Sequence, residues 1–326
     1  MNEKLLKCIT SSEFKKRLNM GDVKPEISLY AEGEYNKNFL FYTDEKEALL
    51  RINYGSQMHL ENQIKYEYDA LKLLENTNRT PKVYMYSEDL YEKPFLVMEF
   101  LGGSHLDYKK NLLGAAEALA DIHSTPVTNH HLISANDGPL MMIKECEELF
   151  KKYLDSNEDA QKKSYIKSLI EKIKEKSKLL VDEDIRCIIN TELNNQNFLV
   201  ENDFVRVVDW EKPIYGDPAQ DLGHFLAPTT TFWKTDIILS KNDFINFIDK
   251  YKKSVDKRIN LGDIYRRTQI YAMLNCLRGI TWVSHAYIEY KSKSKSVMHE
   301  TTKKKLDAYL DYSFLEKINQ YITEVI

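Results

Sequence analysis

The sequence predicts an α+β chain of two lobes, a small antiparallel-sheet lobe over residues 1–100 and a larger, mainly helical lobe over residues 101–326. Three observations predict it. Short apolar or aromatic runs bounded by turn residues crowd into the first hundred positions, which is the pattern of strands. Beyond them, apolar residues recur at three- and four-residue spacing, which is the pattern of helices. Where one pattern gives way to the other, Phe95-Leu96-Val97-Met98-Glu99-Phe100 runs into Leu101-Gly102-Gly103. A strand leading into a glycine pair before a long helix suits a hinge between lobes.

At 326 residues and 43% hydrophobic content the chain is long enough for two domains or one bilobal unit with a sizeable core. The net charge of -4, from 46 basic and 50 acidic residues, gives no global basic field for nucleic acid. Lysines cluster at 291–295 and 303–305 around a loop, but no aromatic residues interleave them as a nucleic-acid surface would require. Cys8, Cys146, Cys187 and Cys276 lie too far apart for zinc-ligand spacing or a disulfide framework, so a reducing cytoplasm is expected. Charged residues interrupt the N-terminal stretch and no 18 apolar residues run together, so neither a signal peptide nor a membrane span is expected.

In order, residues 3–19 put Leu5, Leu6, Ile9, Phe14 and Leu18 on one side of an amphipathic helix. Runs at 27–30, 39–42 and 48–52 follow as an antiparallel meander with turns at 32–37 and 43–46. The first turn has a single glycine, Gly33, and reads as a hairpin turn more than as a phosphate cradle. Residues 59–75 carry Leu60, Ile64, Tyr68, Leu71 and Leu74 at helical spacing, with Glu67 beside the stripe. Two further strands are expected at 82–86 and 94–100, then a helix at 107–124 ending in Leu119-Ala120-Asp121-Ile122-His123-Ser124, where His123 reads as a core residue. The charged stretch at 140–180 reads as helices with solvated faces. Asp217 is a natural N-cap for a helix with Pro218 in its first turn. Helices at 241–256, 262–290 and 302–325 complete the chain, the middle one carrying Trp282 near Arg278.

Two short apolar runs deliver oxygen-bearing side chains onto loops. Ile188-Ile189 precedes Asn190-Thr191-Glu192-Leu193-Asn194-Asn195-Gln196-Asn197, and Val207-Val208 precedes Asp209-Trp210-Glu211. Metal-assisted phosphoryl transfer needs oxygen ligands for magnesium, a group to orient or deprotonate the acceptor, and cations on the phosphates. Asn197 and Asp209 are the metal candidates and Glu192 the acceptor-orienting carboxylate. Arg51 with Glu67 would hold the α- and β-phosphates.

This arrangement resembles the aminoglycoside phosphotransferase and choline kinase family, small-molecule kinases with a protein-kinase-like fold. Glu192 to Asn197, an apolar strand, and twelve residues to Asp209 look like that family's catalytic loop and metal-binding aspartate. The segment LADIHS resembles the helix end before that loop, FLVMEFLGG the hinge, and VVDWEKPIYGDPAQDLG the metal-binding segment with its following helix. LLRIN with Glu67 resembles the nucleotide-gripping strand and helix, with arginine where lysine is common, as in choline kinases. The resemblance covers most of the chain and is weakest at 140–180 and beyond 228.

It implies a bilobal kinase that uses Mg2+ and ATP or GTP and phosphorylates a hydroxyl of an aminoglycoside-, choline- or sugar/amino-alcohol-like molecule. The backbone of Met98, Glu99 and Phe100 would read the base, Asp221 would brace the catalytic loop, and Glu211 would face the acceptor; Trp233 and Trp282 read as core aromatics or, alternatively, as an acceptor-facing wall for a cation. Where the family's loop reads HxDxxxxN, this chain carries Asn190, Glu192 and Asn197. A carboxamide at 190 still bridges backbone groups. The extra methylene of Glu192 moves its carboxylate by roughly 1.5 Å, a displacement that costs about a hundredfold in rate unless the loop compensates. These departures motivate a second reading, a catalytically silent nucleotide-binding or interaction module.

Overall fold

The computed structural model describes residues 3–21, 25–42, 47–135, 138–181, 183–292 and 300–324. In chain order it runs α1 (Glu3–Thr10), α2 (Ser12–Arg17), β1 (Glu26–Glu32), β2 (Asn36–Tyr42), β3 (Glu47–Asn53), α3 (Gln63–Leu74), β4 (Val83–Ser87), β5 (Phe95–Glu99) and β6 (Ser104–His105). The chain continues through α4 (Leu112–His123), α5 (Gly138–Leu154), α6 (Ala160–Ser177), β7 (Cys187–Ile189), β8 (Phe198–Glu201), β9 (Phe204–Val207) and β10 (Ile214–Gly216). It ends with α7 (Pro218–Leu226), α8 (Pro228–Thr235), α9 (Lys241–Ser254), α10 (Ile264–Lys291), α11 (Glu300–Tyr309) and α12 (Tyr312–Glu324).

Two compact units share these elements. The first comprises Met1–Ile133, Gln196–Ile214 and Ser254–Asp256. Its five-stranded antiparallel sheet has the order β1-β2-β3-β5-β4, in which β1-β2-β3 is the meander expected from the short apolar runs. Leu50 and Ile52 of β3 point into a core with Phe41, Phe95 and Val97. Phe14 closes that core, its ring 5.8 Å from Phe41 and 6.0 Å from Phe95. The single amphipathic helix expected at 3–19 is two helices, because Ser11 accepts a hydrogen bond from the Phe14 amide and starts a new helix there. A second sheet, β6-β8-β9, depends on Gly103: its φ is +114°, and a Cβ there would stand 2.6 Å from the Val200 carbonyl oxygen. The turn expected at 43–46 lies outside the described residues.

The second unit, Ser134–Asn195, Tyr215–Lys253 and Lys257–Ile326, is mainly helical. Its centre is α10, whose buried residues include Ile270, Leu274, Leu277, Ile280 and Val283. Asp217 caps α7 as expected, accepting from the Ala219 amide at 2.8 Å. The continuous helix expected at 302–325 is instead α11 and α12. Asp311 breaks it by accepting from the Ser313 amide at 2.9 Å and from the Ser313 hydroxyl. Of the lysine-rich stretch at 291–305, residues 293–299 lie outside the described residues, and Lys303, Lys304 and Lys305 lie on α11. Among the described residues no helix is long and apolar enough to cross a membrane.

Candidate active site

Alternation along β3 sends Leu50 and Ile52 into the core and Arg51 to the other face of the sheet, where it is nevertheless only 7% exposed. Its Nε donates to Oδ1 of its cross-strand partner Asn38 at 2.9 Å. Its Nη1 donates to Oε1 of Glu67, buried on α3, at 2.6 Å. The same Nη1 lies 3.5 Å from Asp209 Oδ1 and 3.5 Å from Glu211 Oε1. Arg51, Glu67, Asp209 and Glu211 are thus brought together.

One guanidinium faces three carboxylates, and this sets the titration behaviour of the group. Burial works against the Arg51 cation, but Glu67, Asp209 and Glu211 outweigh it and hold the guanidinium charged. Burial pushes the Glu67 carboxyl up against the opposition of Arg51, and the negative charges of Glu211 and Asp209 add to the rise, which ends at about 7. Glu211 is raised as well, by burial and then by Asp209. Glu67 Oε2 is buried without a hydrogen-bond partner. Two neighbours without a sequence signal complete the group. Asn36 Nδ2 donates to Glu211 Oε1 at 2.5 Å, and Gln63 Nε2 donates to the Glu211 carbonyl at 2.6 Å.

The β8–β9 hairpin sets Asn197 against the 208–209 segment: Phe198 pairs with Val207, and the Val208 amide donates to the Asn197 carbonyl at 2.8 Å. Asp209 has φ +67°, a conformation uncommon outside glycine and frequent at functional sites. The buried Trp210 beside it anchors the turn through Nε1–H to the Val207 carbonyl at 3.1 Å. Among the described residues no group of three or more His, Cys, Asp or Glu is arranged to hold a metal. A magnesium ion, however, is commonly bound by one or two protein oxygen ligands with phosphates and water completing the shell. The hard oxygens of Asn197 and Asp209 fit that requirement.

At the end of β5, Met98 is buried and Phe100 meets Tyr30 edge-on at 5.4 Å. The Glu99 amide donates to the Lys82 carbonyl at 2.8 Å, and its carboxylate lies 3.7 Å from Arg206 Nη1.

In the second unit, β7 pairs with β10 and the chain then turns through Asn190 and Thr191. Their amides donate to the two oxygens of the fully buried Asp221, at 2.8 and 2.7 Å. The Thr191 carbonyl lies 2.6 Å from His224 Nδ1. A carbonyl can only accept, so Nδ1 carries the hydrogen. Burial, with Arg278 nearby, lowers the His224 pKa and favours the neutral ring. Asn190 Oδ1 accepts from the Glu192 amide at 3.3 Å, which ties its carboxamide to the backbone of the loop. The Glu192 carboxylate is 42% exposed and lies 3.7 Å from Arg278 Nη2. Arg278 Nε in turn donates to Glu145 at 3.1 Å. Trp282, 46% exposed, stands one turn beyond Arg278 on α10 and meets Trp233 edge-to-face at 5.4 Å. Trp233 also packs edge-on to Tyr309 at 5.5 Å. The roles of His224 and Glu145 in this group carried no sequence signal, because neither belongs to a periodic or spaced pattern.

Residues 26–240 match the family model described as the phosphotransferase enzyme family. No curated protein matches the chain by sequence. Among solved structures, a choline/ethanolamine kinase family protein from Mesorhizobium loti is 13% identical, with 99% of this chain and 97% of that one covered at a TM-score of 0.65. A microcompartment-associated aminopropanol kinase is 16% identical, with coverages of 95% and 96% and a TM-score of 0.66. A spectinomycin phosphotransferase in complex with ADP and spectinomycin is 13% identical, with coverages of 92% and 93% and a TM-score of 0.63. At these identities the likeness is one of fold, and that fold is the protein-kinase-like one. With the family model spanning well over half of its length, the chain belongs to the phosphotransferase enzyme family of small-molecule kinases.

Proposed function

We propose that this protein transfers the γ-phosphoryl group of ATP or GTP, with Mg2+, to a hydroxyl of a small aminoglycoside-, choline- or sugar/amino-alcohol-like molecule. The observation that carries the reading is the Arg51 guanidinium, buried against Glu67 at 2.6 Å and within 3.5 Å of both Asp209 and Glu211. Glu67 orients Arg51, and Arg51 holds the α- and β-phosphates. Asn197 and Asp209 hold the metal, which when bound neutralises charge on the phosphates. Residues 1–100 clamp the nucleotide, with the backbone of Met98, Glu99 and Phe100 reading the base. Residues 101–326 supply catalysis and the acceptor site. There Glu192 orients the acceptor hydroxyl and takes its proton, and Arg278, 3.7 Å away, directs that carboxylate. Glu211, Trp233 and Trp282 face the acceptor. Four free, buried cysteines support a reducing, cytoplasmic location.

The test is turnover of Mg-ATP and Mg-GTP across a panel of aminoglycosides, macrolides, choline, ethanolamine, and sugar and amino-acid alcohols. Phosphorylation of one acceptor class is the expected result. Failure across the panel, with no nucleotide hydrolysis and no rise in melting temperature on adding nucleotide, overturns the reading. The tie between Glu192 and Arg278 favours one alternative, a silent nucleotide-binding module, since a carboxylate held in an ion pair is a weaker base. That alternative requires nucleotide binding without turnover both in the native protein and in Glu192→Asp.

A further inference from the structure

In the first unit, Asn36 opens β2 and stands opposite Asn53 at the end of β3, so the strand register sets two carboxamides side by side. They are 4% and 7% exposed, and amide groups this deeply buried have to be hydrogen-bonded within the protein. Backbone carbonyls decide which way each one points. Asn53 Nδ2 lies 2.8 Å from the Gly55 carbonyl and 3.4 Å from that of Tyr35, and a carbonyl only accepts, so the nitrogen end of Asn53 is the one turned that way. The same nitrogen donates to Asn36 Oδ1 at 2.9 Å. With its oxygen committed to Asn53, Asn36 presents N–H to Glu211, and its Nδ2 donates to Oε1 at 2.5 Å. The chain of donors therefore runs one way, from Asn53 through Asn36 to the Glu211 carboxylate.

A second chain meets Glu211 at its backbone. The Leu60 amide donates to Ser56 Oγ at 2.9 Å, the Ser56 hydroxyl to Gln63 Oε1 at 2.6 Å, and Nε2 of the buried Gln63 to the Glu211 carbonyl at 2.6 Å. Carbonyl and carboxylate of one residue are thus both held, by amides on α3 and β2. The two carboxylate oxygens are not equivalent. Oε1 takes Asn36 and lies 3.5 Å from Arg51 Nη1, whereas no described residue donates to Oε2, on a side chain that is 29% exposed. Rotation about the last side-chain bond would exchange the two oxygens, and a donor fixed on one side opposes it. We propose that Asn36 is a positioning residue for phosphoryl transfer that acts through Glu211. It holds Oε1 so that Oε2 is left to accept from an N–H or O–H of the molecule to be phosphorylated. The assignment rests on the reading above, in which Glu211 faces the acceptor.

The test is steady-state kinetics of the full chain with Mg-ATP and the best acceptor among the aminoglycosides, choline, ethanolamine, and sugar and amino-acid alcohols. Asn36→Leu, which keeps a branched side chain and removes the donor, should lower kcat/KM for the acceptor about tenfold while the KM for Mg-ATP changes less than about twofold. Asn36→Asp, the isostere that keeps Oδ1 for Asn53 and loses the donor to Glu211, should lose at least as much. In a Glu211→Ala background Asn36→Leu should cost less than about twofold, since no carboxylate is left to position. Combining Asn36→Asp with Glu211→Gln restores a hydrogen bond of reversed direction between the two positions. That pair should regain the melting temperature lost by Asn36→Asp alone, but not the acceptor kcat/KM. Recovery of both, an equal rise in both KM values, or a tenfold loss that persists in Glu211→Ala marks a merely structural bond and overturns the assignment. Native kcat/KM in Asn36→Leu and Asn36→Asp overturns it too. Absence of any acceptor turnover by the native protein also overturns the assignment, while nucleotide hydrolysis and the nucleotide-induced rise in melting temperature decide the phosphoryl-transfer reading separately.

Discussion

Arg51 and Glu67 form a pair whose value depends on both members being present. Removing one partner of a buried ion pair costs about 3–5 kcal/mol, because the other charge is left uncompensated. Arg51→Met should therefore lower stability by about that amount in urea unfolding, whereas Arg51→Lys, which keeps the charge and loses the Nε contact to Asn38, should cost less. Glu67 also makes stability depend on pH. Its folded pKa, about 7, lies above the ordinary carboxylate value of 4.5, so the native state binds the extra proton. The contribution of Glu67 is fully present below about pH 4.5 and is lost as pH rises through 7. Glu67→Gln should remove that slope, so the melting temperature of the variant relative to the native protein should rise between pH 5 and pH 7. At Glu192, shortening to aspartate withdraws the carboxylate by roughly 1.5 Å. A working Glu192 should then lose about a hundredfold in kcat with nucleotide affinity unchanged. A gain in kcat would show that the loop is not fitted to the longer side chain.

At the scale of the element, α7 links the stability of the second unit to the geometry of the 190–192 loop. Asp221 accepts two amides of that loop, and hydrogen bonds to a charged group are worth about 1.5–3 kcal/mol each. Asp221→Asn keeps an acceptor but loses the charge, so thermal unfolding should show destabilisation of about 2 kcal/mol. Gly223 is the place where α7 approaches α10. A Cβ there would stand 2.5 Å from the Tyr271 Cβ and 2.7 Å from the Ala272 nitrogen. Alanine gains about 1 kcal/mol of helix propensity over glycine, but a clash with backbone that cannot swing away outweighs it. Gly223→Ala should be net destabilising, by about 1–3 kcal/mol in denaturant melts. The start of α7 was legible, since Asp217 and Pro218 form a cap whose signal is local. The break between α11 and α12 was not, because the apolar spacing continues across Asp311 and only its hydrogen bonds to Ser313 end the helix.

For the whole molecule, ligand binding and stability are linked. A ligand at a hundred times its Kd stabilises the native state by about 2.7 kcal/mol. Mg-ATP should raise the melting temperature accordingly, and Asp209→Asn should abolish the magnesium-dependent part of that rise, read by differential scanning fluorimetry with and without chelator. Much of the architecture was legible beforehand. The order of strands and helices, the meander at 26–53 and the candidate loops follow from local periodicity, turn chemistry and residue spacing, which are properties of neighbouring residues. The partners were not legible. Arg51 meets Asp209 across 158 positions, and Arg278 meets Glu145 across 133. The sequence by itself determined which elements form and which residues can carry phosphoryl-transfer chemistry. Only the tertiary structure decided that Glu67 is buried against Arg51, that Glu192 faces Arg278, and that Asn36 reaches Glu211. Burial and pairing depend on packing between distant segments, and no local pattern encodes them.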